Sequence, residues 1–231
     1  MNSNLKFFKN SRTLQVDKFF QNVLYDSKHG YYTTKQPFGE KGDFITAPKI
    51  SNLFSEIIAI WIISTWQNFG RPKSFNIVEL GPGDGSLTKV LLEVLERFPD
   101  FKSSSTVYLY ELSNYLKNLQ KKNIKNKNIK LINNFNNIKK GPIIFFGNEF
   151  FDAIPIKQFK RKNNFLFEKY YYLDKNDQIK EIYKKSSKKN KDLIKFFKTL
   201  NNLKFIEFPK LGLEELNKIV KKISIRNGCL L

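Results

Sequence analysis

An α/β fold built on an open, mostly parallel sheet is predicted by three stretches of the chain. Asn76-Ile77-Val78-Glu79-Leu80 is a short apolar run of the kind that forms a buried parallel strand. It breaks into Gly81-Pro82-Gly83-Asp84-Gly85, after which a helical pattern starts at Ser86 and runs through Val90, Leu91, Val94 and Leu95. Thr106 to Glu111 and Pro142 to Phe146 read as further strands, rich in β-branched and aromatic residues, with a shorter one at Ile129 to Ile132.

Strand, glycine turn and helix are the parts of a nucleotide-type cofactor site. Glycines accept φ > 0 and let the backbone approach a ligand, and the helix start adds unpaired N–H groups. Spacing narrows the choice of ligand. A P-loop needs Lys and then Ser or Thr after its last glycine, and Ser86-Leu87 follows Gly85 here. The dinucleotide fingerprint is G-x-G-x-x-G, whereas this chain has G-x-G-x-G. An acidic residue two positions before the first glycine suits S-adenosylmethionine, whose α-ammonium group a carboxylate such as Glu79 can hold. Gly81, Gly83 and Gly85 would cradle that ligand. A purely structural turn is the competing reading of the motif.

Glu111 ends the next strand, where a carboxylate can accept both ribose hydroxyls. It can also serve as a neighbour of the N-cap of the following helix, for which Ser113 is available. The strand ending at Phe146 runs into Gly147-Asn148-Glu149-Phe150-Phe151-Asp152-Ala153-Ile154-Pro155, at the sheet end where open α/β folds bind ligands.

Four blocks now carry a resemblance. Gly42-Asp43-Phe44-Ile45-Thr46-Ala47-Pro48 with Ile50-Ser51 and Leu53-Phe54, Gly30-Tyr31-Tyr32 upstream, Val78 to Gly83, and Asn148 to Pro155 together resemble the MidA-type methyltransferases. The likeness covers about residues 16 to 160, and more weakly the remainder. It implies a Rossmann-like S-adenosylmethionine-dependent methyltransferase sheet with S-adenosyl-L-methionine as cofactor. It also implies methylation of a protein arginine on a respiratory complex I subunit, the mitochondrial members being complex I assembly factors. The family usually has Glu where this chain has Lys49, and commonly Arg where it has Asp84. Its members run well past 300 residues, whereas this chain stops at Asn227-Gly228-Cys229-Leu230-Leu231, which resembles the start of the fifth strand. A C-terminally truncated member, with its last strands missing, is therefore expected.

Composition sets outer limits. The 231 residues are 41% hydrophobic with 23 Phe, enough for one sizeable core. One Cys and one His exclude a disulfide framework and a Cys-rich or multi-histidine metal site, so no metal is expected. His29 reads as a turn residue and Cys229 as a core residue. The longest apolar run, Ile57 to Ile63, is far short of the ~20 residues a bilayer crossing needs and reads as part of a buried helix from Ser51 to before Gly70. No secretory signal is visible. The expected location is the cytoplasm of a bacterium, or the mitochondrial matrix of a eukaryote.

The net charge of +20 is uneven, +8 over residues 1–156 and +12 over residues 157–231. The lysine tract from Lys180 to Lys191 could hold phosphates, and Tyr170, Tyr171 and Tyr172 could stack bases. The tract lacks Arg and any recognition motif, so it reads as Lys-, Asn- and Ile-rich composition on solvated faces, with nucleic acid not expected as a partner.

Two domains are expected. Residues 1–70 form a helical cap, with a helix from Val16 to Lys28 and a covering loop from Gly30 to Pro48. Residues 71–231 form the methyltransferase domain, with a β-hairpin insertion around 157–185 and a helix over Gly212 to Ile223. Methyl transfer by in-line displacement depends on positioning and a dry site. Asn148, Glu149 and Asp152 are the catalytic candidates, since two carboxylates can grip a guanidinium bidentately. Turn-forming bonds to backbone are the competing role for Asn148 and Asp152. Asp43, Phe44 and Thr46 are candidates on the covering loop, and Phe150 and Phe151 are walls. A non-catalytic cofactor-binding scaffold and a nucleic-acid methyltransferase are the alternatives.

Overall fold

Ten strands form two sheets in the computed structural model, which describes residues 4–9, 11–35, 37–38, 42–44, 46–125 and 129–231. In chain order they are β1 (Thr13–Gln15), β2 (Phe75–Leu80), β3 (Ser105–Tyr110), β4 (Ile129–Ile132), β5 (Ile143–Phe146), β6 (Lys157–Lys162), β7 (Phe165–Leu173), β8 (Ile179–Lys185), β9 (Phe205–Phe208) and β10 (Cys229–Leu230). The chain divides into two compact units that interleave in sequence. One comprises Met1–Tyr31 and Phe151–Glu215, the other Tyr32–Phe150 and Leu216–Leu231.

The second unit holds the parallel sheet, in the order β10-β5-β2-β3-β4. All six residues of β2 are buried, as expected of a strand covered on both faces. Phe75 and Ile77 face one core with Ala59, Ile62, Ile63 and Trp66 of the helix Asn52–Asn68 and Leu87, Leu91 and Leu95 of the helix Ser86–Leu95. Val78 and Leu80 face the other core, with Tyr110, Phe135, Ile138, Phe145 and Ile219. The alternation along β2 thus separates the two layers. Residues 52–68, grouped with an N-terminal cap in the sequence reading, fall in this unit, with Ala59, Ile62, Ile63 and Trp66 in the core of the parallel sheet.

Strand β2 pairs in parallel with β3 on one side and β5 on the other. The order therefore reverses at β2, and the crevice at its carboxyl end is where such sheets bind ligands. The C-terminal residues do form a strand, β10, parallel to β5 through Cys229↔Ile144 and Leu230↔Phe145.

The first unit holds an antiparallel sheet. Strand β7 pairs with β8 along one edge and with β6 and β1 along the other, and β9 pairs with β6. The predicted hairpin is present as β7 and β8, turned through Asp174, whose carboxylate accepts from the backbone N–H groups of Asn176 and Gln178. It is part of a larger sheet rather than an isolated insertion. A two-residue turn at Asn163 and Asn164, with φ of 45° and 61°, joins β6 to β7. One face packs Phe159, Leu166, Ile206 and Phe208 against Ile194 of the helix Lys188–Phe196. Elsewhere Leu173 packs with Phe8 and with Phe19 of the helix Val16–Tyr25.

Candidate functional site

The glycine turn supplies the backbone geometry that its sequence promised. Gly81, Gly83 and Gly85 have φ of 59°, 55° and 85°, the left-handed region that a Cβ disfavours. A Cβ on Gly81 would stand 2.8 Å from the Phe150 ring, and one on Gly83 would stand 3.0 Å from the Phe38 ring. The turn is stitched down on both sides. Gly81 N–H donates to the Tyr110 carbonyl at the tip of β3 at 3.0 Å. From the helix Asn114–Asn123, Gln120 Nε2 donates to the Gly83 carbonyl at 2.8 Å and Asn123 Nδ2 to the Asp84 carbonyl at 3.0 Å.

The start of the helix Ser86–Leu95 is already supplied with negative charge by the chain itself. Asp84 Oδ1 accepts from Ser86 N–H at 3.1 Å and from Ser86 Oγ at 2.6 Å. Glu79 accepts from the hydroxyl of Thr88. Asp84 on the Ser86 N–H and Glu79 on the Thr88 hydroxyl thus place two buried carboxylates at this helix start, where their charge disfavours a pyrophosphate. A ligand without phosphate, the choice that spacing favoured, fits that arrangement. Glu79 is 3% exposed. Burial pushes its carboxyl up to about 7, with the nearby Asp84 charge adding to the effect and the bonds from Thr88 opposing it.

Glu111, at the end of β3, takes the local role expected of it beside the helix cap. Its Oε1 accepts from Leu112 N–H and Ser113 N–H at 2.8 Å each, shaping the entry to the helix Asn114–Asn123. Ser113 caps that helix through Leu116 N–H at 3.2 Å. Burial raises the Glu111 carboxyl despite these bonds. Gln120 Oε1 is buried without a hydrogen-bond partner among the described residues. Positive-φ glycines where a Cβ would collide, two buried carboxylates at adjacent strand tips and an orphaned acceptor suit an adenosyl amino acid.

The covering segment reaches this site through Tyr32, Phe38 and Lys49, none of them among the site candidates read from the sequence. Tyr32 O accepts from Ser113 Oγ at 2.8 Å, and the Phe38 ring lies over Gly83. The Tyr32 hydroxyl is raised by burial first and then by the Glu111 and Glu149 carboxylates, which places all three in one electrostatic neighbourhood. Lys49, in the short helix Ala47–Ile50, forms an ion pair with Asp84. Of the named loop candidates, Asp43 is exposed, Phe44 is half exposed with its N–H on the Pro37 carbonyl, and Thr46 is the residue before that short helix. Residues 36, 39–41 and 45 of the predicted loop lie outside the described residues.

The catalytic candidates are divided between the units. Asn148 and Glu149 follow β5 in the second unit, Glu149 exposed and with φ of 56°. A non-glycine residue in that region is uncommon. Asp152 is exposed in the turn Phe151–Ala153 of the first unit. His29 is an exposed turn residue whose N–H donates to Asp26 Oδ1 at 3.0 Å. Cys229 is half-buried against the core. Among the described residues no helix is long and apolar enough to cross a membrane, and no cluster of three or more His, Cys, Asp or Glu is placed to hold a metal.

Comparison with known proteins gives a consistent picture. A family model described as "Putative S-adenosyl-L-methionine-dependent methyltransferase" matches residues 57–231. The mitochondrial protein arginine methyltransferase NDUFAF7 of Xenopus laevis is 31% identical over 177 residues, covering 66% of this chain and 40% of the relative. The human protein of that name is 26% identical over 249 residues, covering 96% of this chain and 56% of the relative. A bacterial protein from Burkholderia thailandensis, solved bound to S-adenosyl-homocysteine, shares the fold with a TM-score of 0.74 at 18% identity, over 90% of this chain and 55% of that one. The chain thus spans about half the length of the proteins it matches.

Proposed function

The chain belongs to the family of S-adenosyl-L-methionine-dependent methyltransferases, and on that premise we propose that its site transfers a methyl group to a nitrogen of a protein, an arginine guanidinium in particular. The observation that carries this reading is the glycine turn whose helix start is closed by Asp84 and Glu79, with Glu111 buried at the neighbouring strand tip. Such a site favours an adenosyl amino acid over a phosphorylated cofactor. The arginine reading is supported by relatives named protein arginine methyltransferases. A complex I subunit as the acceptor protein rests on the resemblance to the MidA-type methyltransferases, and a mitochondrial location in a eukaryote on relatives named as mitochondrial.

The cofactor would supply a methyl group on a sulfonium. The chain would do the rest by positioning. Gly81, Gly83 and Gly85 keep the turn close enough for backbone contact, Glu79 holds an ammonium and Glu111 receives ribose hydroxyls. Phe38 and Phe150 press on the turn and exclude water, which strengthens every charged contact inside. Glu149, exposed at the end of β5 with Asn148 beside it, is the proposed holder of the guanidinium. A carboxylate there fixes the acceptor by charge and by paired hydrogen bonds, and alignment is most of what this reaction needs. Asp152 is kept as a separate candidate on its own unit, as are Asp43, Phe44 and Thr46 on the covering segment.

The test is calorimetric titration of the chain with S-adenosylhomocysteine beside Gly83→Val, in which the new side chain meets both an unfavourable φ and the Phe38 ring. Binding by the wild type and none by a folded variant supports the site. Methylation of arginine peptides, lost in Glu149→Gln, supports the reaction. No binding by a folded wild type overturns the reading. Binding with no methylation of any arginine peptide leaves a cofactor-binding scaffold.

A further inference from the structure

The open face of the antiparallel sheet carries aromatic rings and lysines in alternation across four strands. Phe205 in β9 stands opposite Lys160 in β6, Lys160 opposite Phe167 in β7, and Phe167 opposite Lys185 in β8. Directly opposed residues share a face, so these four side chains form one row. Lys162 and Phe165 are paired in the next row, and Lys169 and Tyr183 in the row on the other side. The helix Lys188–Phe196 covers the opposite face, at Phe159, Leu166 and Ile206. Phe165 is 50% exposed and Phe205 is 48% exposed.

Exposed rings on a strand are a liability that sheets normally remove. Here each is flanked by positive charge. Lys185 Nζ lies 4.7 Å from the centre of the Phe165 ring, and Lys160 Nζ lies 5.8 Å from that of Tyr183. The two acidic residues of this face are engaged: Glu181 with Lys169 at 2.5 Å, and Glu207 with Gln158 at 2.8 Å. Lys160, Lys162 and Lys185 have no ion pair among the described residues. Neighbouring strands lie about 4.8 Å apart and alternate residues along a strand about 7 Å apart. The rings therefore sit at intervals across a shallow platform, with ammonium groups between them.

We propose that this face binds a single-stranded nucleic acid, its bases stacking on Phe165, Phe205 and Phe167 and its phosphates meeting Lys160, Lys162 and Lys185. Rings set singly between lysines across a flat sheet answer to stacked bases, whereas an acidic peptide would use the lysines alone and a membrane surface calls for rings gathered on one apolar side apart from the charges. The proposal concerns the first unit alone and does not depend on the cofactor site. It takes Tyr183 and Lys185 from the lysine tract noticed in the sequence and joins them to Lys160, Lys162, Phe165, Phe167 and Phe205 of other strands, so the platform is assembled across the sheet.

The test is fluorescence anisotropy of the full chain with labelled twelve-nucleotide oligo-dT and oligo-U, against a twelve-base-pair duplex. Phe165→Ala and Phe205→Ala change no charge, and both residues are half exposed, so the fold should persist and is checked by thermal melting. Each should weaken single-strand binding about tenfold, and Phe165→Tyr should restore it. Lys160→Gln/Lys162→Gln/Lys185→Gln should lower the slope of log affinity against log salt by about 2. Lys188→Gln/Lys189→Gln/Lys195→Gln, with equal loss of charge on the covering helix, should leave binding near that of the wild type. The proposal is overturned if the alanine variants bind as the wild type does, or if both lysine triples behave alike. It is equally overturned if phosphatidylserine vesicles or a poly-glutamate peptide bind through these residues while the oligonucleotides do not.

Discussion

Lys49 and Asp84 form an ion pair that joins the short helix Ala47–Ile50 to the glycine turn. These are the two positions where the chain departs from the pattern it resembles, which usually has Glu at the first and commonly Arg at the second. Taken singly, each departure argues for a damaged site. Taken together they place opposite charges across one contact, as the usual Glu and Arg would if they met in the same place. The pair thus removes one reason for regarding the site as degenerate.

The first prediction concerns that contact. Lys49→Glu should set like charges together and loosen the covering segment, and Asp84→Arg should do the same while also removing the bond that caps Ser86. The double variant Lys49→Glu/Asp84→Arg should be more stable than either single one. It should still fall about 1 kcal/mol short of the wild type, because arginine cannot cap the helix. Chemical denaturation of the four proteins measures the cycle, and additive single effects would show that the pair contributes nothing.

Glu79 makes stability depend on pH in a direction opposite to that of a salt-bridged carboxylate. Its folded value, about 7, lies above the ordinary value of 4.5. Between those limits the folded state keeps a proton that the unfolded state releases. Stability is therefore greatest below about 4.5 and declines as pH rises through about 7, by on the order of 3 kcal/mol for this group. Glu79→Gln should flatten that part of the profile in urea titrations from pH 4.5 to 8. Thr88→Val, which removes a donor to the carboxylate, should move the decline to still higher pH. If Glu79 also holds the cofactor's ammonium, affinity for S-adenosylhomocysteine should rise across the same interval, and Glu79→Gln should lose that rise.

The parallel sheet was legible because its signals are local: apolar runs of four to six residues, a glycine turn, and strand tips ending in Glu79 and Glu111. The antiparallel sheet was legible only at its hairpin. Strand β1 has three residues and β9 has four, too short for any periodicity to show, and β1 pairs with residues about 160 positions away. The same limit hid Thr88 beneath Glu79 and Phe38 over Gly83, since both are consequences of packing. Lys49 and Asp84 were visible in sequence as oddities, and only the fold makes them one feature.

A buried cluster in the first unit makes the third prediction. Lys157 Nζ donates to Asp17 Oδ1 at 3.0 Å and to Glu168 Oε1 at 2.6 Å, while Asn190 Nδ2 donates to Glu168 Oε2 at 2.9 Å. All four residues are buried. Burial alone would lower the lysine's pKa, but its bonds to Glu168 and Asp17 outweigh that and hold it above its ordinary value. Lys157→Met leaves two carboxylates facing each other out of water and should cost about 3–5 kcal/mol. Asp17→Asn should cost less, because Lys157 keeps Glu168. Equal losses from the two variants, read by thermal or urea denaturation, would show that the lysine is not the keystone.

Glu111 offers a way to separate its local role from its role toward a ligand. In Glu111→Gln the side-chain carbonyl can still accept from Leu112 and Ser113, so the entry to the helix Asn114–Asn123 and the overall stability should persist. The amide nitrogen that replaces the second oxygen can donate but not accept. A ribose hydroxyl that donates there in the wild type would then meet another donor. Affinity for S-adenosylhomocysteine should fall about tenfold or more, with the melting temperature of the free protein little changed. The wild type should also discriminate against a 2′-deoxyribose analogue, and the variant should not. If Glu111→Gln binds normally and discriminates normally, Glu111 shapes the turn alone, and the ribose must be held by other groups.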